Sequence, residues 1–271
     1  MQEAAVPADI ALHVVLLLVG VAFLAGWVDA VVGGGGLIQL PALLLALPSD
    51  TSVPEISGTN KVSSVAGTAV ATLTYLRKVR PDWAVVVPLV ASAFAGSALG
   101  AQLVRLLPRD AFTPIVLVAL VAVGTYTVRR PQLGLEHDVR HSGFASVWRS
   151  AAIGGGVGVY DGFLGPGTGS FFVILVVAVL GYGFLQATAK AKLANLTTNV
   201  AAIGVLAWHG QVLWLLGVLM AAANLTGAYL GARMALRHGS GFVRRVFLVV
   251  VGAMILRLGW DTVQIALRVL A

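Results

Sequence analysis

The sequence predicts an all-α polytopic membrane protein of about ten transmembrane segments, arranged as two inverted five-helix repeats, and three observations predict it. Hydrophobic residues make up 58% of the 271 positions and charged residues only 11%, where soluble domains carry about a quarter charged. Apolar runs of bilayer length recur along the whole chain. The third observation is internal repetition: Asp29 to Leu37, DAVVGGGGL, returns as Asp161 to Ser170, DGFLGPGTGS. A shift of 132 lays Asp29 on Asp161, Gly33 on Gly165 and Gly35 on Gly167, and further on a shift of 131 lays Lys61 on Lys192, Trp83 on Trp214, Gly96 on Gly227 and Gly100 on Gly231.

The elements follow in order. The opening MQEAAVPADIALH has no Lys or Arg ahead of its apolar run. A secretory signal normally starts with positive charge, so Ile10 to Val31 is expected as a retained first helix. Next come a short run, Leu37 to Leu47, then Lys61 to Tyr75, Trp83 to Leu106 and Ala111 to Val128. A polar stretch, PQLGLEHDVRHSG, separates a first repeat (1–131) from a second (146–271), with a cytoplasmic linker at 132–145. The second repeat reads Ser146 to Phe163, Ser170 to Gly183, Lys192 to Trp208, Val212 to Leu236 and Val243 to Leu267.

Charge placement sets the orientation. The formal net charge of +7 sits mostly in short loops between apolar runs, which speaks for membrane orientation and against nucleic acid. With the linker cytoplasmic, thirteen Lys and Arg fall on the cytoplasmic side and four outside, with Arg257 mid-segment. The N-terminus is then outside and the protein a multi-pass resident of the cell membrane. Five crossings per repeat, an odd number, make the second copy enter in the opposite sense. Inverted repeats of this kind recur in secondary transporters, with the substrate near mid-membrane.

Two short segments mark the expected site. Leu37 to Leu47 is eleven residues, about 16 Å of helix, and Ser170 to Gly183 is only slightly longer. Neither spans the core comfortably, so both glycine breaks are expected as hairpin tips inside the membrane, where irregular backbone must be buried in protein or line a wet cavity. Helices starting just after Gly36 and Gly169 would aim free amides and positive dipole ends at one another, an anion site. The candidate substrate-binding residues are Gly33, Gly34, Gly35 and Gly36 from the first tip and Gly165, Gly167, Thr168 and Gly169 from the second. Thr59, Asn60 and Lys61, with Lys192 and Asn195, join them from the following segments. Two readings stay open for the lysines, each opening a segment: they snorkel to the interface, or they line the two mouths of an anion pathway. Asn195 and Asn199, matched by Ser64 and Thr68, form polar stripes at four-residue spacing. Asp29 and Asp161 are acids within apolar segments, and such residues are functional hypotheses. Each either carries a proton or braces its hairpin by accepting hydrogen bonds from the glycine amides. Gly96, Gly100, Gly227 and Gly231 are assigned to helix packing.

With those residues in view, the chain resembles the TauE/SafE sulfite exporter family. The resemblance rests on GGGGLIQLP, GFLGPGTGSF, Gly-Thr-Asn-Lys at 58–61, KAKLANLTTN at 190–199 and NLTGAYLGARMA ending at Ala235. Lys190 departs from the family pattern, which more often has a small polar residue such as Thr there. The resemblance implies transport of sulfite, sulfoacetate and similar small oxyanions.

Other classes are poorly served. No Cys is present, which removes disulfides, thiolate metal sites and thiol catalysis. No GxxxxGK[ST] loop points to ATP drive. The five histidines have no metal spacing and no Ser-His-Asp set is discernible, so neither an enzyme nor a metal or other cofactor is expected. The expected partners are a small anion and the lipid bilayer, with no nucleic acid. An anion channel with the same helix-end chemistry is the alternative function, and a homo-oligomer is compatible with the sequence.

Overall fold

A computed structural model describes residues 11–48, 50–106 and 143–270, together with isolated positions 118, 121, 125 and 129. The expected fifth segment, Ala111 to Val128, lies outside the described residues apart from Val118, Val121 and Thr125, which are helical. The linker at 132–145 lies outside them up to residue 142.

Every regular element among the described residues is a helix. In chain order they are α1 (Leu12–Val32), α2 (Gly36–Ala46), α3 (Val53–Leu76), α4 (Trp83–Leu103), α5 (Phe144–Phe163), α6 (Thr168–Leu175) and α7 (Phe184–Trp208). A last helical run, Trp214–Leu270, is broken by Gly239 at φ 72°, ψ −169°, giving α8 (214–238) and α9 (240–270). A π-helical turn, Val176–Leu180, extends α6. Among the described residues three helical runs, containing α1, α4 and α8, are long and apolar enough to cross a membrane, while Gly36–Ala46 and Thr168–Leu180 are the shorter apolar helices the sequence singles out.

Two starts differ from expectation. Helix α3 begins at Val53, eight residues before Lys61, and α7 at Phe184, eight residues before Lys192. Ser52 and Glu55 close a reciprocal capping box and Pro54 stands in the first turn of α3, a combination that fixes a helix start. A hydropathy ruler stops at Glu55, Ser57, Thr59 and Asn60, yet Ser57, Thr59 and Asn60 are buried. Both lysines therefore sit two turns inside their helices, which removes the snorkelling reading.

Helices are joined by exchange between the halves. The first helix of one half packs along the fourth of the other, α1 on α8 and α5 on α4. Glycine makes both contacts close. A Cβ on Gly227 would sit 2.0 Å from the Phe23 carbonyl oxygen and one on Gly231 2.4 Å from that of Trp27. On the other side, Gly96 meets the Gly155 carbonyl and Gly100 that of Val159, at 2.5 and 2.2 Å by the same measure. Small residues let backbones approach in this way in lipid. The outward faces carry Leu16, Leu17 and Leu24 of α1, Val87 and Leu99 of α4 and Val218 and Leu219 of α8, all exposed. Such a surface suits hydrocarbon rather than water. Exposed Trp83, Trp208 and Trp214 at helix ends suit the headgroup level.

Candidate functional site

The site is built where α1 and α5 stop. Helix α1 ends at Val32 because Gly33 turns left-handed, φ 81° and ψ 20°, donating its N–H to the Asp29 carbonyl at 2.7 Å, a glycine C-cap. The chain re-enters helix at Gly36, where the first hydrogen bonds are Leu37 N–H to Gly34 O and Ile38 N–H to Gly35 O. The amides of Gly35 and Gly36 precede those bonds and have no acceptor within the helix. The second break matches: Gly165 and Gly167 adopt φ 89° and 77°, Thr168 Oγ1 donates to the Gly165 carbonyl at 2.7 Å, and Tyr160 Oη donates to that of Pro166 at 2.7 Å. Helix α6 starts at Thr168, two residues earlier than the sequence suggests.

The two breaks touch. Ser170 N–H donates to Gly33 O at 3.1 Å and Ser170 Oγ to Val32 O at 3.0 Å. A Cβ on Gly33 would lie 2.2 Å from the Gly169 carbonyl carbon, so no other residue allows this approach.

Beside this contact lie four charged side chains, three of them buried and Asp29 partly so. Lys61 Nζ meets Asp161 Oδ2 at 2.5 Å, and Lys192 Nζ meets Asp29 Oδ2 at 2.8 Å while also donating to the Asp29 carbonyl. Each pair joins one half to the other. Both lysines are at most 2% exposed, as is Asp161, while Asp29 is 13% exposed. The carboxylates hold ammonium groups rather than the glycine amides foreseen as their partners. This was legible as charge complementarity, since the repeat-equivalent Lys61 and Lys192 and the repeat-equivalent Asp29 and Asp161 all stand in apolar segments and intramembrane charges pair.

A narrow polar cleft of about 20 Å³ opens among these groups, room for about one water rather than for a whole ligand. Of the residues singled out from sequence, Asp29, Gly33, Gly36, Asn60, Lys61, Asp161, Gly165, Gly167, Thr168, Gly169 and Asn195 line it, with Ser64 and Asn199 of the polar stripes. Asn60 Oδ1 is buried and has no hydrogen-bond partner. Four candidates do not line it. Lys192 stands behind Asp29. Gly34 faces Val250 and Val28, Gly35 packs on the Ala25 carbonyl and Asp29 Cβ, and Thr59 donates to Glu55 O while accepting from Leu213 N–H. The stripes meet directly, Asn199 Nδ2 donating to Thr68 Oγ1 at 3.4 Å.

Sequence reasoning missed a second polar layer. Gln39 Oε1 accepts from Ser63 Oγ at 3.3 Å and Asn224 Nδ2 at 3.1 Å, all fully buried. Gln39 is the lone polar side chain in α2, GLIQLPALLLA. That isolation was the available signal.

Short broken helices meeting at a buried polar cleft, inside a bundle with apolar outer faces, define the class of helical membrane transporters. The chain belongs to the sulfite exporter TauE/SafE family, whose profile matches residues 18–258. It is 36% identical over 253 residues to "Probable membrane transporter protein ORF9" of Sinorhizobium sp., covering 92% of this chain and 94% of that one. It is 34% identical over 259 residues to a "Probable membrane transporter protein" of Haemophilus influenzae, covering 93% and 97%. The "Probable membrane transporter protein YfcA" of Escherichia coli K12 is 34% identical over 250 residues, 91% of each.

Proposed function

We propose that the protein is a secondary transporter, working as an exporter, of small sulfur-containing oxyanions such as sulfite or organosulfonates resembling sulfoacetate. The observation that carries this is the single cleft lined by the starts of two broken helices, one from each half. Amides that precede the first helical hydrogen bonds, together with two helix dipoles, favour an anion there. The four charged side chains sum to zero and bring no net attraction for a cation. The family description, sulfite exporter, supplies the substrate class.

The reading includes ten segments in inverted repeats, in the cell membrane with the N-terminus outside. Its support is the reciprocal pairing of Lys61 with Asp161 and Lys192 with Asp29, together with the exchanged packing of first and fourth helices. Alternating access then amounts to one half moving against the other around the cleft. A carrier is favoured over a channel because both ammonium groups are buried in pairs that join one half to the other.

Purified protein in proteoliposomes tests it. Wild type is expected to show saturable uptake and counterflow of labelled sulfite or sulfoacetate, and Gly36→Leu, whose Cβ would already touch the Pro166 backbone of the opposite tip at 3.5 Å, to abolish both. Flux that never saturates would move the protein to the channel class. Equal transport by Gly36→Leu would place the site elsewhere.

A further inference from the structure

We propose that the cleft loads electroneutrally, Asp29 and Asp161 together taking up one proton for each negative charge of the anion that binds. This rests on the anion-carrier reading and adds to it the coupling ion and the stoichiometry.

The charge inventory is small. Lys61, Asp29 and Asp161 are the ionised side chains lining the cleft, and Lys192 lies behind Asp29. Helices α2 and α6, which complete the walls, contain no titratable residue. Among the described residues, the phenols of Tyr75 and Tyr160 also lie close, to Asp29 and Asp161 respectively. Each phenol already donates to a carbonyl, Tyr75 to Ala30 and Tyr160 to Pro166. In the empty site both ammonium groups are therefore committed to carboxylates, and the sum of charges is zero.

An anion entering this space meets two carboxylates at close range in a medium of low dielectric constant, where an uncompensated buried charge is strongly unfavourable. A proton on one carboxylate resolves the conflict. The neutral acid no longer competes for its lysine, and the released ammonium turns to the anion. Two lysines, one carboxylate, one neutral acid and a monoanion again sum to zero. A dianion with both acids protonated does so too. The proton enters from the same compartment as the anion and leaves with it on the other side, after which the lysine returns to its carboxylate. The empty paired state and the fully loaded state are both neutral, whereas a half-loaded cleft holds a net charge. This suppresses leak of either ion alone.

The test uses the full chain in proteoliposomes with a trapped pH dye and the potential clamped by potassium and valinomycin. Ethanesulfonate, a permanent monoanion, and sulfoacetate, a dianion near neutral pH, are the probes. An inward gradient is expected to acidify the lumen by one proton per ethanesulfonate and two per sulfoacetate, at rates independent of the clamped potential. Anion entry without acidification, or with a rate that follows the potential, overturns the coupling and leaves the carrier reading standing. Failure of sulfite and both probes to enter overturns both readings. In Asp29→Asn/Asp161→Asn the remaining flux is expected to carry no protons, and an unchanged proton ratio in that variant overturns the assignment to these acids. Should the double variant be inactive, Asp29→Asn and Asp161→Asn singly are each expected to lower the sulfoacetate ratio from two protons to one, and a ratio of two in either overturns the assignment.

Discussion

The two halves are alike at the centre and unlike two residues away. Lys61 and Lys192 stand at matching depths in α3 and α7, and each holds the aspartate of the opposite half. The positions two residues earlier, 59 and 190, also correspond, yet Thr59 accepts from the Leu213 amide at 3.0 Å while Lys190 lies 3.7 Å over the ring of Tyr182. Tyr182 in turn donates to Asp82 at 2.7 Å, and Asp82 is the counterpart of Leu213 by the same shift of 131. Burial and, after it, the bond to Asp82 push the Tyr182 phenol above its ordinary value, so it remains a neutral donor. Lys190 is buried as deeply as Lys61, yet its counterpart is Thr59, so the flanks have diverged where the central pairs have not. The central pairs also differ in degree, Asp161 being 1% exposed and Asp29 13%.

The largest expected effect breaks that last comparison. Lys61→Ala strands Asp161 in the interior and is expected to lower stability by about 3–5 kcal/mol. Lys192→Ala loses less, because Asp29 retains some water. Thermal unfolding in detergent measures both, and equal losses would show that the difference in exposure has no energetic meaning. The next effect is at the tips. Gly33→Ala combines left-handed strain of about 1–3 kcal/mol with overpacking of about 1–3 kcal/mol, since its Cβ would strike Gly169. Gly36→Ala meets its first atom only at 3.5 Å and is expected to fold as wild type but bind anion more weakly in calorimetry. A reversed order of the two melting temperatures would contradict the arrangement of the tips. Smaller again is Tyr182→Phe, about 1 kcal/mol for one hydrogen bond. Lys190→Thr, which makes the flanks alike, is expected to change stability by under about 1 kcal/mol, read from the same melts.

Composition and repetition made the helical membrane class, the two short helices and most of the cleft lining legible. What escaped has one cause: hydropathy treats a polar residue as a boundary, and here polar residues are buried against one another. Lys61 and Lys192 were therefore read as helix starts, although SVPE at 52–55 already carried the capping signal for α3. The aspartates were weighed one by one, so their pairing with lysines of the other half was missed. Gly34 and Gly35 cannot be told from Gly33 and Gly36 by residue type. Only the direction of the turn separates the pair that packs from the pair that faces the cleft.

The central claim is that one anion site is shared by both halves. The chain has no cysteine, so Ser64→Cys in α3 and Asn195→Cys in α7, one lining position from each half, allow a clean measurement of modification by a small methanethiosulfonate reagent. Sulfite reacts with such reagents, so the protecting anion is sulfoacetate. Both cysteines are expected to be protected over the same concentration range. Protection of only one of them, or of each at a different concentration, would contradict a shared site.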